Sequence, residues 1–223
     1  MAKKQNNEIH KKHLIVCEGQ DEFWFLAWYL NNDTLAEHKE FANDIQIFDF
    51  GGNEELSNSL KVLKLTNGFE FVESLLVMRD AERDASKAIS EVKSALRKAD
   101  LPVPDIPHKW VTDGKIKVGF LLFPTFDEDP SKGTLEDLCI SILKEQGHEL
   151  ILKDIDIFLD NLNKKYQREF PHEFKTKLHT YFSITDRYVS LKVGEAASAG
   201  AFDWESDEMN KLKEFILEIF ESN

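Results

Sequence analysis

Short apolar runs alternate along the chain with longer stretches in which apolar residues recur every three or four positions. That alternation predicts strands and helices in turn. His13-Leu14-Ile15-Val16-Cys17 reads as a buried strand that ends in Glu18-Gly19-Gln20-Asp21-Glu22. The helix after it, residues 21 to about 30, is apolar nearly all round, which predicts packing on both sides. Residues 45–48 form a second expected strand, ending at Gly51-Gly52-Asn53, and residues 54–63 the next helix. Ser74-Leu75-Leu76-Val77-Met78 is a third strand, of the continuous kind found in sheets covered on both faces. It runs straight into Arg79-Asp80-Ala81-Glu82-Arg83-Asp84. Ala85, Ala88, Ile89, Val92 and Leu96 then keep the spacing of one buried helical stripe.

Pro102, Pro104 and Pro107 mark a stiff connection before a fourth strand at residues 118–123, closed by Pro124. Gly133-Thr134-Leu135-Glu136-Asp137 opens a helix whose Leu135, Leu138, Cys139, Ile142 and Leu143 face inward. From about 150 to 184 the pattern is helical and more polar, interrupted at Pro171, and reads as a helical excursion. Residues 188–192 predict a last strand. The closing helix, about 206–220, buries Met209, Leu212, Phe215, Ile216, Ile219 and Phe220. Strands alternating with helices predict an α/β fold, a three-layer sandwich around a mostly parallel sheet. A single domain over residues 1–223 is expected, with its core at about 13–149 and 188–221 and the helical insertion at about 150–187.

The chain is 42% hydrophobic and 31% charged, enough apolar material for a real core. Its net charge of −13 excludes the simplest nucleic-acid reading, a strongly basic surface that holds phosphates by counterion release alone. Cys17 and Cys139 form no CxxC pair, so neither a disulfide framework nor a zinc ribbon is expected, and a reducing compartment fits. The N-terminus carries no signal-peptide core, and the longest apolar run, residues 23–30, is far short of the roughly 20 residues that span a bilayer. A cytoplasmic protein without membrane contact is the expectation.

The candidate chemistry lies in where the acids fall. Ligands of open parallel sheets bind at the carboxyl ends of the strands. The first strand ends in Glu18, with Glu22 one helical turn later; the third ends near Asp80, with Glu82 two residues on; Glu136 lies in the first turn of the helix after strand four. If strands one, three and four are neighbours, these carboxylates converge on one sheet edge. An all-oxygen cluster without Cys or His suits Mg²⁺ or Mn²⁺ better than zinc. Two such ions activate a water and stabilise the leaving oxygen of a phosphodiester.

Taken singly, each acid has a plainer reading. Glu18, Asp80, Glu82 and Asp84 all suit the positive N-terminus of a following helix. Thr134-x-x-Asp137 resembles a capping box, which leaves Glu136 as the metal candidate of that segment. Gly51-Gly52 reads first as a turn.

Together these motifs resemble the TOPRIM domain, shared by type IA and II topoisomerases, bacterial primases and the overcoming-lysogenization-defect (OLD) nucleases. Glu18-Gly19 matches the family's glutamate-glycine after strand one, and Asp80-Ala81-Glu82 its acidic Asp-x-Asp after strand three. Small stand-alone TOPRIM-like proteins related to the OLD nucleases, often described only as domains of unknown function, share three further features. These are a Glu-Gly-x-x-Glu start, a Gly-Gly turn and a Gly-x-Leu-Glu segment, present here as Glu18–Glu22, Gly51-Gly52 and Gly133–Glu136. The resemblance implies that Glu18, Glu22, Asp80, Glu82 and Glu136 bind metal. It also implies that a lysine on a late strand, here Lys192, takes part in catalysis. The chain departs from the pattern at Glu82, where the family has aspartate; Asp84 is a stand-in.

The first expected function is therefore metal-dependent cleavage of DNA or RNA. No GxxxxGK[ST] segment occurs in these residues, and a separate ATPase or protein partner is left as an open expectation. Lys164, Lys165, Arg168, Lys175, Lys177, His179 and Arg187 make the most basic stretch, either a phosphate contact or a solvated face. The second expectation is a catalytically inert TOPRIM-like module that binds nucleic acid, nucleotide or protein, as in phage defence. A haloacid-dehalogenase-type phosphatase ranks lower, because Glu18 stands where its nucleophilic aspartate belongs.

Overall fold

The computed structural model describes residues 8–32, 42–52, 55–167, 170 and 173–218. A five-stranded sheet carries β1 (His13–Cys17), β2 (Ile45–Asp49), β3 (Ser74–Asp80), β4 (Trp110–Asp113) and β5 (Ile116–Phe123) in the order β2-β1-β3-β5-β4. β2, β1, β3 and β5 run parallel, and β4 returns antiparallel along the edge of β5. The expected α/β three-layer fold is present. β4 was not anticipated: residues 110–113 alternate too weakly between polar and apolar to stand out as a strand. Its tight return through Gly114 makes it a hairpin arm of β5.

Successive strand residues point to opposite faces, and two apolar clusters result. Leu14, Val16, Leu75, Val77, Val118, Phe120 and Leu122 pack with α2 (Leu56–Leu65) and α3 (Ala85–Lys98). Ile15, Cys17, Leu76, Met78, Leu121 and Phe123 pack on the other face. There they meet α1 (Gln20–Leu30), α4 (Leu135–Leu143), α5 (Glu149–Tyr166), α6 (Glu173–Ser183), α7 (Val193–Ser198) and α8 (Asp207–Leu217). The segment expected as an excursion is thus one wall of the core: Leu152, Ile155, Leu159, Leu178, Tyr181 and Phe182 are buried in it. Among the described residues no helix is long and apolar enough to cross a membrane.

Three expectations are corrected. Residues 188–192 form no strand; they leave a run of turns, and Lys192 caps α7 with its N–H bonded to Glu195 Oε2 at 2.9 Å. α1 is not packed all round, because Trp24 and Trp28 are 49% and 42% exposed. Asp84 is the N-cap of α3, its Oδ1 accepting from the Lys87 N–H at 3.0 Å, and it does not line the cleft described below. Ile219 and Phe220 lie outside the described residues, whereas Met209, Leu212, Phe215 and Ile216 are buried as expected.

The connections fix where a ligand can sit. From β1 the chain moves through α1 to β2 on one side; from β2 it crosses back through α2 to β3 on the other. Right-handed crossovers place α1 and α2 on opposite faces, and between β1 and β3 the direction reverses. A crevice opens at such a switch point, beyond the carboxyl ends of the strands. Glu18 follows β1 there and Asp80 ends β3.

Candidate functional site

A cleft of about 1140 Å³ occupies this switch point, with Glu18, Glu22, Asp80, Glu82, Glu136 and Lys192 all among its lining residues. The five acids border one cleft because β1, β3 and β5 are consecutive in the sheet and α1 and α4 start at its edge, and Lys192 reaches the same cleft from the start of α7.

Glu18 is partly buried, and its Oε2 approaches the Asp80 backbone N–H at 3.5 Å. Its own carbonyl accepts from Gly52 N–H at 3.0 Å, so the Gly51-Gly52 turn, with both φ angles positive, holds the end of β1. Gly19 is extended, and a Cβ there would stand 3.1 Å from Glu22 Oε2. That near-contact shows how closely the Glu22 carboxylate folds back over the start of α1.

Asp80 is 8% exposed, and its Oδ1 accepts the Leu135 N–H of α4 at 3.0 Å. Glu82 has a left-handed φ of 56° and exchanges two 2.8 Å backbone hydrogen bonds with Gly133. Gly133 itself has φ 141°, and a Cβ would fall 2.8 Å from Asp137 Oδ2, so only glycine fits. The capping box is formed: Thr134 N–H donates to Asp137 Oδ2 at 2.8 Å. Glu136 is thereby left to face the cleft, 8% exposed, accepting from the Thr134 hydroxyl at 2.9 Å and paired with Lys175 at 3.2 Å.

The electrostatics follow from burying like charges together. Burial, reinforced by Glu18, Glu136 and Asp21, pushes Glu22 up to about 7. Burial and then the Glu22, Glu18 and Glu136 charges raise Asp80 well above the ordinary carboxylate range, against the Leu135 hydrogen bond. Burial raises Glu18 as well, and the Arg79 guanidinium opposes that rise. Burial acts to lower Lys175, but Glu136, Asp21 and Glu22 outweigh it and hold the ammonium above its usual value. Among the described residues, no group of three or more His, Cys, Asp or Glu side chains is arranged to hold a metal ion as they stand.

Sequence reading missed two supports. Arg79 is 2% exposed, donates to Glu91 at 3.0 Å, and its charge favours the ionised Glu18; a basic residue one before a strand-end acid was the available signal. Trp24, with Phe170 and Phe174, forms an aromatic border that apolar periodicity alone could not separate from core. The basic stretch forms no single face. Lys175 enters the cleft, Lys177 is buried against Asp156 at 2.6 Å, and Arg187 stacks on Tyr188; Arg168 lies outside the described residues.

The model of a family described as "Protein of unknown function (DUF3226)" matches residues 12–221. No curated protein and no solved structure matches the chain significantly. The matched region runs from the residue before β1 to beyond α8 and takes in every side chain of the cleft, so the chain belongs to the DUF3226 family.

Proposed function

We propose that this protein is a TOPRIM-type, metal-dependent phosphodiesterase acting on DNA or RNA. The observation that carries the reading is the convergence of Glu18, Glu22, Asp80 and Glu136 on one cleft at the sheet's switch point. Close carboxylates repel one another by several kcal/mol at an effective dielectric near 20, of order 4 kcal/mol at 4 Å. A structure that gathers them is suited to a hard divalent cation, and the donor atoms here are all oxygens. Glu18 and Asp80 would hold the principal Mg²⁺ or Mn²⁺, and Glu22, Glu82 and Glu136 would complete one or two coordination shells. When bound, such an ion supplies Lewis-acid charge and lowers the pKa of a water. Lys192 lines the cleft from the start of α7 and would offset charge that develops on the phosphate. Cys17 and Cys139 are buried and free, in keeping with a reducing, cytoplasmic setting. The test is plasmid nicking with Mg²⁺ or Mn²⁺: wild type cleaves and Glu18→Ala and Asp80→Ala do not. Equal nicking by the purified variants would overturn the assignment.

A second reading, an inert TOPRIM-like module retained for binding nucleic acid, nucleotide or a protein partner in phage defence, is favoured by one observation. Asp80 already serves the backbone of α4, and Glu82 is exposed with its backbone tied to Gly133. Melting that Mg²⁺ or Mn²⁺ leaves unshifted, with no cleavage of the tested nucleic acids, supports this reading over the first.

A further inference from the structure

We infer that the cleft takes single-stranded nucleic acid, with unpaired bases stacked on Trp24 and Phe174 and the backbone held between Arg83 and Lys132. The inference rests on the reading of the cleft as a nucleic-acid site and names the form of that ligand. Two observations independent of the carboxylates carry it.

The first is aromatic. Trp24 of α1 and Phe174 of α6 come from different helices, line the same cleft and remain 49% and 47% exposed. Phe170, partly buried, lies on the same border. Trp24 is pinned at its base: a Cβ on Gly194 would lie 2.4 Å from the Trp24 Cβ, so α7 packs directly against it. Its ring meets Phe23 edge-on at 5.1 Å. A large ring anchored at its root and left exposed beside a polar cleft is suited to stacking. Only an unpaired base presents both π-faces to such a ring, whereas a duplex hides them in its own stack.

The second is cationic. The isolated antiparallel bridge between Glu82 and Gly133 sets Arg83 and Lys132 next to it, one on each of the two segments that the bridge joins. Both are exposed, both line the cleft, and neither is paired with a carboxylate among the described residues. Neighbouring like charges across a bridge repel, and this chain carries 41 acidic residues that offer partners. Two neighbouring cations left unpaired among the described residues of so acidic a protein fit a phosphate, the anion that a nucleic-acid backbone brings.

The experiment is fluorescence anisotropy with labelled oligothymidylate, oligouridylate, an abasic strand of equal length and a duplex, in Ca²⁺, which takes the same oxygen ligands. The base-bearing strands bind about tenfold or more tighter than the abasic strand. The thymidylate and uridylate arms distinguish a DNA from an RNA ligand. Trp24→Ala, which keeps the Cβ packed on Gly194, and Phe174→Ala each weaken thymidylate binding about tenfold and leave abasic binding unchanged. Trp24→Phe restores most of the loss. Arg83→Ala and Lys132→Ala weaken both strands and each reduce the salt slope by about one. Equal binding of abasic and base-bearing strands, tighter binding of duplex, or indifference to Trp24→Ala would overturn the inference. Base-dependent binding without Mn²⁺-dependent cleavage of plasmid, oligothymidylate or oligouridylate removes the catalytic reading and leaves this one standing; cleavage with base-blind binding does the reverse.

Discussion

The Asp80 carboxylate accepts the Leu135 N–H at 3.0 Å and so ties the end of β3 to the first turn of α4. One side chain thereby serves both the fold and the cleft, and its substitutions separate the two roles. Asp80→Asn keeps an oxygen acceptor for Leu135 and removes a charge that burial already disfavours, so the ion-free protein melts no lower than wild type. Asp80→Ala leaves the Leu135 N–H without its partner and costs about 1–3 kcal/mol. Mn²⁺ at about a hundred times its dissociation constant raises wild-type stability by about 2.7 kcal/mol. That is roughly 5–10 °C in melting temperature for a chain of this size. Both Asp80 variants lose the shift. Calorimetry with and without Mn²⁺ checks this, and an undiminished shift in either variant counts against Asp80 as an ion ligand.

Glu22 gives stability a pH dependence of definite sign. Its carboxyl is held at about 7 in the fold against 4.5 ordinarily, so the native state binds the proton more tightly than the unfolded chain. The resulting stabilisation is complete below about pH 4.5 and is lost as pH rises through about 7. Glu18 and Asp80 act in the same direction. In EDTA, urea melts between about pH 5 and about pH 8 lose stability at up to roughly 1.4 kcal/mol per pH unit for each group titrating. Glu22→Gln flattens that slope. A divalent ion needs the deprotonated carboxylates, so its affinity rises over the same interval.

Lys175 competes for the acid that an ion would use. Its ammonium lies 3.2 Å from Glu136, whose side chain is only 10% exposed while that of Lys175 is 53% exposed. Lys175→Met removes the counter-charge. The ion-free protein loses up to about 1 kcal/mol, because the lysine end is solvent-screened. Mn²⁺ affinity rises about three- to tenfold as a repelling charge leaves. Titration calorimetry beside thermal melts reads the two effects, and opposite signs are the expected result.

α7 rests on α1 through a glycine. A methyl at Gly194 would meet the Trp24 Cβ at 2.4 Å, below any real contact, and both atoms belong to helical segments that cannot yield cheaply. Gly194→Ala therefore costs on the order of 1–3 kcal/mol, as overpacking does. It also weakens single-stranded binding through the displaced indole. Circular dichroism melts and the anisotropy assay together test it.

By itself the sequence determined the parallel strands and the acids. His13–Cys17, Ser74–Met78 and residues 118–123 are runs too apolar for anything except a sheet covered on both faces, and local periodicity reports that directly. Glu18, Asp80 and Glu136 were legible because strand ends are where parallel sheets bind ligands, a rule of topology applied to chain positions. The Thr134–Asp137 cap was legible because it is made within one turn.

The tertiary structure alone decided the remainder. Whether three acidic strand ends meet depends on the strand order β2-β1-β3-β5-β4, whose parallel pairs join residues 32, 61 and 43 apart. β4 pairs along the edge of β5, while residues 188–192 form turns that lead into α7. Apolar pattern treats Trp24 as it treats Phe25, yet one stands at the cleft and the other in the core. The Arg79 charge acting on Glu18 and Lys175 beside Glu136 likewise take their meaning from partners distant in the chain. Periodicity encodes which side of an element is apolar, while the identity of the neighbour across a gap is set only when helices and sheet close on one another.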